Sequence, residues 1–224
     1  MTVIKKISNE DFAEALLSWW NLNKREFPWR HSRNPYEVLV AEMLLRKTTA
    51  SQVLGVYSGF VERYPNARKL AGAKKSDLVR ILKPLGMEHE RARLFRELGE
   101  ELCKSYDGEV PRNRDDLLLL PGVGDYSANA VLCMSMGSDL PMFDTNFARV
   151  VQRYFGLRSL KKRVRQDREM WAFAQSLLPK AGSRAFNLAV LDFAALVCKA
   201  RKPDCHGCPI SFGCFIWGAM TEKP

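Results

Sequence analysis

Apolar positions recur every three or four residues along almost the whole chain, which is the spacing of one helix face and not the alternation of a strand. In "NEDFAEALLSWWNLN", Phe12, Leu16, Trp19 and Trp20 share a face, and Asn9 is placed to cap the start. The stretch "NPYEVLVAEMLLRKTTASQVLGVYSGFVERYP" predicts one or two long helices, ended by Pro65 and Asn66. "KKSDLVRILKPLG" predicts a helix with Ser76 as its cap and Gly86 as its stop. "EHERARLFRELGEELCKSYDG" predicts an amphipathic helix with Leu94, Leu98 and Cys103 among its apolar positions, stopped at Asp107 and Gly108. No alternating run of β-branched residues lasts beyond about five positions. The chain reads as all-α.

One junction between predicted helices stands apart. "RDDLLLLPGVGDYSANAVLCMSMG" is a short helix, a tight turn and a second helix. Pro121 closes the first, and Gly122 and Gly124 permit backbone conformations and close approach that a side chain forbids. The turn leaves the first amides of the second helix unpaired, an anion site of the kind that holds one DNA phosphate. Leu120, Pro121, Gly122, Val123 and Gly124 thus have the form of a helix-hairpin-helix; a plain αα turn with glycines has the same spacing.

Composition narrows the class. The chain has 224 residues, 46% of them hydrophobic, enough for one large or two small cores and too apolar for disorder. No run of about eighteen uncharged apolar residues occurs, so no membrane span is expected. "MTVIKKISNEDFAEALLSWW" lacks a secretory pattern, and the expected location is the cytoplasm, where clustered cysteines are more often metal ligands than disulfides. The formal charge of +10 favours a polyanionic partner. The basic run "RSLKKRVRQDR", residues 158–168, reads as a solvated loop and helix start ahead of a dedicated DNA contact.

Two sites carry candidate chemistry. Cys103 and Cys133 read as small core residues, but Cys198, Cys205, Cys208 and Cys214 crowd into residues 198–214. Four thiolates can hold zinc, although zinc ribbons usually pair two separated Cys-x-x-Cys knuckles and this spacing is more compact. Asp144 follows the apolar "LPMF" and precedes "NFARVVQRYF". It suits the N-cap of that helix, where a carboxylate stays ionised and remains able to face a ligand.

"LPGVGDYSANAV" resembles the hairpin of the endonuclease III and MutY superfamily of DNA base-excision glycosylases, and the resemblance continues in register over most of the chain. "NPYEVLVAEMLLRKTTASQV" is similar to their first DNA-facing helices, "MFDTNFARVVQRYFG" to the segment with their essential aspartate, and the four cysteines to their cluster loop. Within the superfamily the chain looks most like the archaeal-type thymine–guanine mismatch glycosylases. The resemblance implies two lobes with a DNA cleft between them. One is a helical barrel over 28–136 with the hairpin at 113–136; the other joins 1–27 to 137–224 and carries the cluster loop 198–214.

The resemblance also assigns roles. Asp144 is the catalytic aspartate, Glu42 and Tyr126 complete the catalytic set, and Arg46 and Lys47 stand where relatives insert a side chain into the gap left by a flipped base. Gly122, Val123 and Gly124 hold a phosphate, the four cysteines bind a [4Fe-4S] cluster, and Lys199, Arg201 and Lys202 on its loop meet the DNA backbone. Bifunctional members have a lysine at the position of Tyr126, and a phenol forms no Schiff base. The implied enzyme is therefore monofunctional, a monomer that removes mismatched thymine or uracil opposite guanine from double-stranded DNA. Two alternatives stand beside it. A MutY-type adenine glycosylase is disfavoured because the chain ends about ten residues after Cys214, and a catalytically inactive DNA-binding module is favoured only by departures from the pattern. Those departures are Asp125, where relatives carry Arg or Lys, and "GMEHERA" with His89.

Overall fold

The structure, a computed structural model, describes residues 8–221; the expectation of no leader rests partly on residues 1–7, outside that range. Among the described residues the regular elements are all helices. In order the helices are α1 (Asn9–Asn23), α2 (Pro35–Leu45), α3 (Ala50–Arg63), α4 (Ala67–Ala71), α5 (Lys75–Leu82) and α6 (Glu88–Ser105). Then follow α7 (Arg114–Leu119), α8 (Asp125–Met136), α9 (Thr145–Phe155), α10 (Arg168–Ser176), α11 (Ser183–Leu196) and α12 (Phe215–Thr221). No helix among the described residues is long and apolar enough to cross a membrane. By its internal contacts the chain divides into two compact units, one of residues 26–138 and one of the two flanking stretches.

In the 26–138 unit, α2 and α8 pack on each other and form the interior. Val38 to Leu44 are buried without a break, as are Ser127 to Met134, so neither helix keeps a solvent stripe. A helix apolar nearly all round belongs inside a core. The stretch from Pro35 to Arg63 is two helices, because the backbone turns extended at Arg46 and left-handed at Lys47 (φ 55°). Thr49 then restarts the helix with a reciprocal capping box to Gln52. The exposed carbonyls at the end of α2 are met by buried Arg91 of α6, which donates to Met43, Leu44 and Arg46 and also to Gly86.

Two helix starts differ from the sequence reading. Ser8, not Asn9, caps α1: its hydroxyl accepts from the Asp11 amide at 3.0 Å while the Asp11 carboxylate accepts from the Ser8 amide. Only Ser8 has an acid three residues on to close that box, and Asn9 instead donates to Ser176. α5 begins at Lys75 with Lys74 as its cap, so Ser76 lies inside the helix. Gly86 does provide the stop, at φ 71° after a 3-10 turn.

In the flanking unit, α11 packs against α1 and α9, and α12 against α9. Phe12, Leu16, Phe147, Phe186 and Phe193 are fully buried there, each contributing about 1.5–3 kcal/mol relative to exposure. Two polar residues of α11 organise this apolar mass. Asp192 accepts from the Trp20 indole (2.9 Å) and from the amide and Nε of Arg25, so the end of α1 is tied down by a buried carboxylate whose oxygens are satisfied. Asn187 donates to the Leu140 carbonyl (3.0 Å) and accepts from the Met142 amide (2.7 Å). Ser183 and Gln175 hold Asp139. The extended segment 139–143 is thereby pinned to α10 and α11, and it delivers Asp144.

Candidate active site

Asp144 is the N-cap of α9. Its Oδ1 accepts from the amides of Asn146 and Phe147, both at 2.8 Å, and its Oδ2 accepts from the Asn146 side chain at 2.6 Å. These bonds and the Arg149 charge favour the carboxylate, yet burial outweighs them and holds the Asp144 pKa above the ordinary aspartate value. Phe143 and Phe147, both fully buried, stand on either side of this half-buried group in the chain.

Glu42 lies on α2 and is only 7% exposed, so a surface-charge reading of it does not hold. A carboxylate buried on a packed helix needs a partner, and such groups collect at functional sites as well as in structural pairs. Tyr126 stands on the first turn of α8, half-buried, on the helix that packs against α2. The fold thus brings the helices of Glu42 and Tyr126 together.

The hairpin has one glycine that the chain itself requires and one that it does not. Gly122 has φ 80°, and a methyl there would sit 2.7 Å from Nη1 of Arg46 and 2.8 Å from both Leu94 and Met43. The hairpin therefore closes directly onto the Arg46 turn. Gly124 has extended backbone, and a methyl added to it would meet nothing within 4 Å, so its openness faces away from the protein. The N-cap Gly124 has no side chain with which to cap α8 at this end. Val123 is half-buried, and Arg46 and Lys47 are exposed. Asp125 is ion-paired with Arg114, whose Nε also donates to Asn129, so the hairpin's acid is compensated within the fold. His89 is exposed on the first turn of α6.

Cys198, Cys205, Cys208 and Cys214 line one mainly apolar cavity of about 150 Å³, together with Tyr154, Ile210 and Trp217. Among the described residues no three Cys, His, Asp or Glu side chains converge on a position for a single metal ion. Four thiols spread around a cavity suit a polynuclear iron–sulfur group, whose irons each take one ligand, better than one zinc. Burial pushes the Cys208 thiol up to about 11 and raises Cys214 as well, so iron must displace protons to bind. Two arginines of α9 clasp the start of the loop. Arg149 donates to the carbonyls of Ala194 and Cys198, and Arg153 to those of Lys199 and Ala200. Lys199, Arg201 and Lys202 are exposed. Sequence reasoning missed Arg149, Arg153, Asn187 and Arg91; the first two had a signal in their spacing of four on the helix that follows Asp144.

Residues 40–173 match the HhH-GPD superfamily of base excision DNA repair proteins, and residues 198–214 match the iron–sulfur binding domain of endonuclease III. The chain belongs to the HhH-GPD superfamily. A thymine/uracil-DNA glycosylase of Pyrobaculum aerophilum is 45% identical over 95% of this chain and 94% of its own length. A solved thermostable thymine-DNA glycosylase matches with a TM-score of 0.89 at 38% identity, covering 94% of this chain and 97% of that one. A trapped endonuclease III–DNA covalent intermediate matches with a TM-score of 0.82 at 25% identity, covering 96% and 100%. Within an HhH-GPD protein the four cysteines are the ligands that would hold a [4Fe-4S] cluster, which would tie the loop to one point.

Proposed function

We propose that the protein is a monofunctional DNA glycosylase that hydrolyses the N-glycosidic bond of thymine or uracil opposite guanine and leaves an abasic site. The observation that carries this reading is Asp144, a half-buried carboxylate fixed at a helix start by three hydrogen bonds, in a chain 45% identical to a thymine/uracil glycosylase. As the bond from C1′ to the base nitrogen breaks, its electron pair leaves with the base and positive charge grows on the sugar. Asp144 stabilises that charge, the oxygen of a water adds at C1′, and the proton this water gives up neutralises the departing base at its nitrogen.

Glu42 and Tyr126 contact the extruded base. Tyr126 also sets the reaction type, since it offers no amine to attack C1′, so the strand stays intact. Arg46 and Lys47 occupy the gap in the stack, and flipping costs least at a mismatch. The open Gly124 end of α8, with Gly122 and Val123, takes a phosphate, and Lys199, Arg201 and Lys202 take others. The enzyme works as a cytoplasmic monomer on double-stranded DNA.

The test is single-turnover incubation with duplexes carrying T:G, U:G, A:G, A:8-oxoguanine or thymine glycol, with and without alkali afterwards. Breaks at T:G and U:G that need alkali are expected. Breaks at oxidised pyrimidine without alkali would overturn both substrate and mechanism.

A further inference from the structure

Residues 158–168 carry Arg158, Lys161, Lys162, Arg163, Arg165 and Arg168, six cations within eleven positions. All six are exposed, and among the described residues none forms an ion pair. The acid within the run is turned inward. Asp167 is buried, accepts from the Ser159 hydroxyl at 2.6 Å and caps α10 through the amides of Glu169 and Met170.

This segment is also built, not merely solvated. Ser159 accepts from the Lys161 amide, and a 3-10 turn over Val164–Gln166 packs on α9. The Trp171 indole donates to the Arg165 carbonyl at 3.0 Å, and its ring lies edge-on against Phe143 at 5.2 Å. Phe143 directly precedes Asp144, so the cationic loop hangs from the segment that carries the carboxylate. Six like charges held together repel one another, and a fixed arrangement without acids is favourable mainly against a polyanion.

We infer that the 158–168 loop is a second phosphate-contacting surface, taking the backbone of duplex DNA that flanks the nucleotide on which Asp144 acts. It rests on the proposed glycosylase reading for the identity of that nucleotide. Phosphate contacts of this kind carry no base preference; they lengthen the footprint and steepen the salt dependence, by about 0.9 in log K per log salt for each contact.

The experiment measures binding of the full-length protein to an undamaged 30-base-pair duplex as a function of KCl, for wild type and for R158Q/K161Q/K162Q/R163Q. The slope is expected to fall by about 2 to 4, and by about 1 to 2 in K161Q/K162Q, with thermal stability unchanged. A slope that stays within half a contact of wild type in both variants would overturn the inference, as would a fall seen with duplex RNA and not with duplex DNA. Base release from T:G at saturating enzyme is read in parallel and is expected to be unchanged in the variants; a tenfold slower release would place the loop in the reaction site and overturn the inference. Absent release by wild type, with the slope loss intact, would sink the glycosylase reading alone.

Discussion

Arg149 donates its Nε–H to the carbonyl of Cys198 at 3.0 Å, from the helix whose first cap is Asp144. One helix therefore carries the candidate carboxylate at its start and clasps the cysteine loop along its side. Cys208→Ser should lose iron and its brown colour. The protein should then be cut faster by trypsin after Lys199 and Arg201, because the Arg149 and Arg153 clasp alone does not order a loop without its own core. Unchanged trypsin kinetics in an iron-free variant would show that the clasp suffices.

Asp144→Asn keeps a good capping residue and removes the charge. Base release should fall by about 10²- to 10³-fold, while duplex affinity and melting temperature stay near wild type. A parallel loss of affinity would mean that the variant disturbs the fold or the DNA grip instead of the chemistry.

The raised Asp144 pKa sets a pH dependence. The carboxylate must be ionised to stabilise the sugar cation, so the acid limb of base release should lie above the ordinary aspartate value of about 3.9. The linkage has the opposite sign for stability: a carboxyl raised in the folded state favours folding when protonated, and that contribution fades as pH rises through the folded value. Protonating Asp144 therefore removes activity without unfolding its surroundings. Release rate and circular dichroism followed together from pH 4 to 8 should show the rate falling first.

Tyr126→Lys puts an amine at the start of α8. With borohydride present it should yield a covalent protein–DNA adduct on T:G duplex, and without alkali some strand breakage, where wild type gives neither. Adduct formation by wild type would assign the nucleophile to another residue.

The two hairpin glycines should respond differently. Gly122→Ala meets Arg46, Leu94 and Met43 at a left-handed backbone and should cost about 1–3 kcal/mol in urea unfolding. Gly124→Ala has room inside the protein and should leave stability near wild type while weakening DNA binding severalfold.

The all-α class, the stops at Gly86 and Asp107–Gly108, the hairpin and the cysteine loop were legible because each depends on neighbours in sequence. Helix starts were less so. Ser8 and Asn9 are both good caps, and the choice turned on which one faced Asp11 three residues later. Asp125 is an acid in an expected basic place until Arg114, eleven residues earlier, is seen to pair with it. The burial of Glu42 had a signal in the unbroken apolar run around it, "VLVAEMLL", which is too apolar for a surface stripe. Arg91 and Asn187 act on backbone carbonyls and amides 45 or more residues away, and no periodicity encodes such bonds.

Gly124 is explained by nothing inside the fold. Its dihedral angles suit any residue, and its missing side chain opens onto empty space at the start of α8. Under the proposed function such a position is a cast of another molecule: the contour of a DNA strand would be written into the chain as a place where the protein withholds matter.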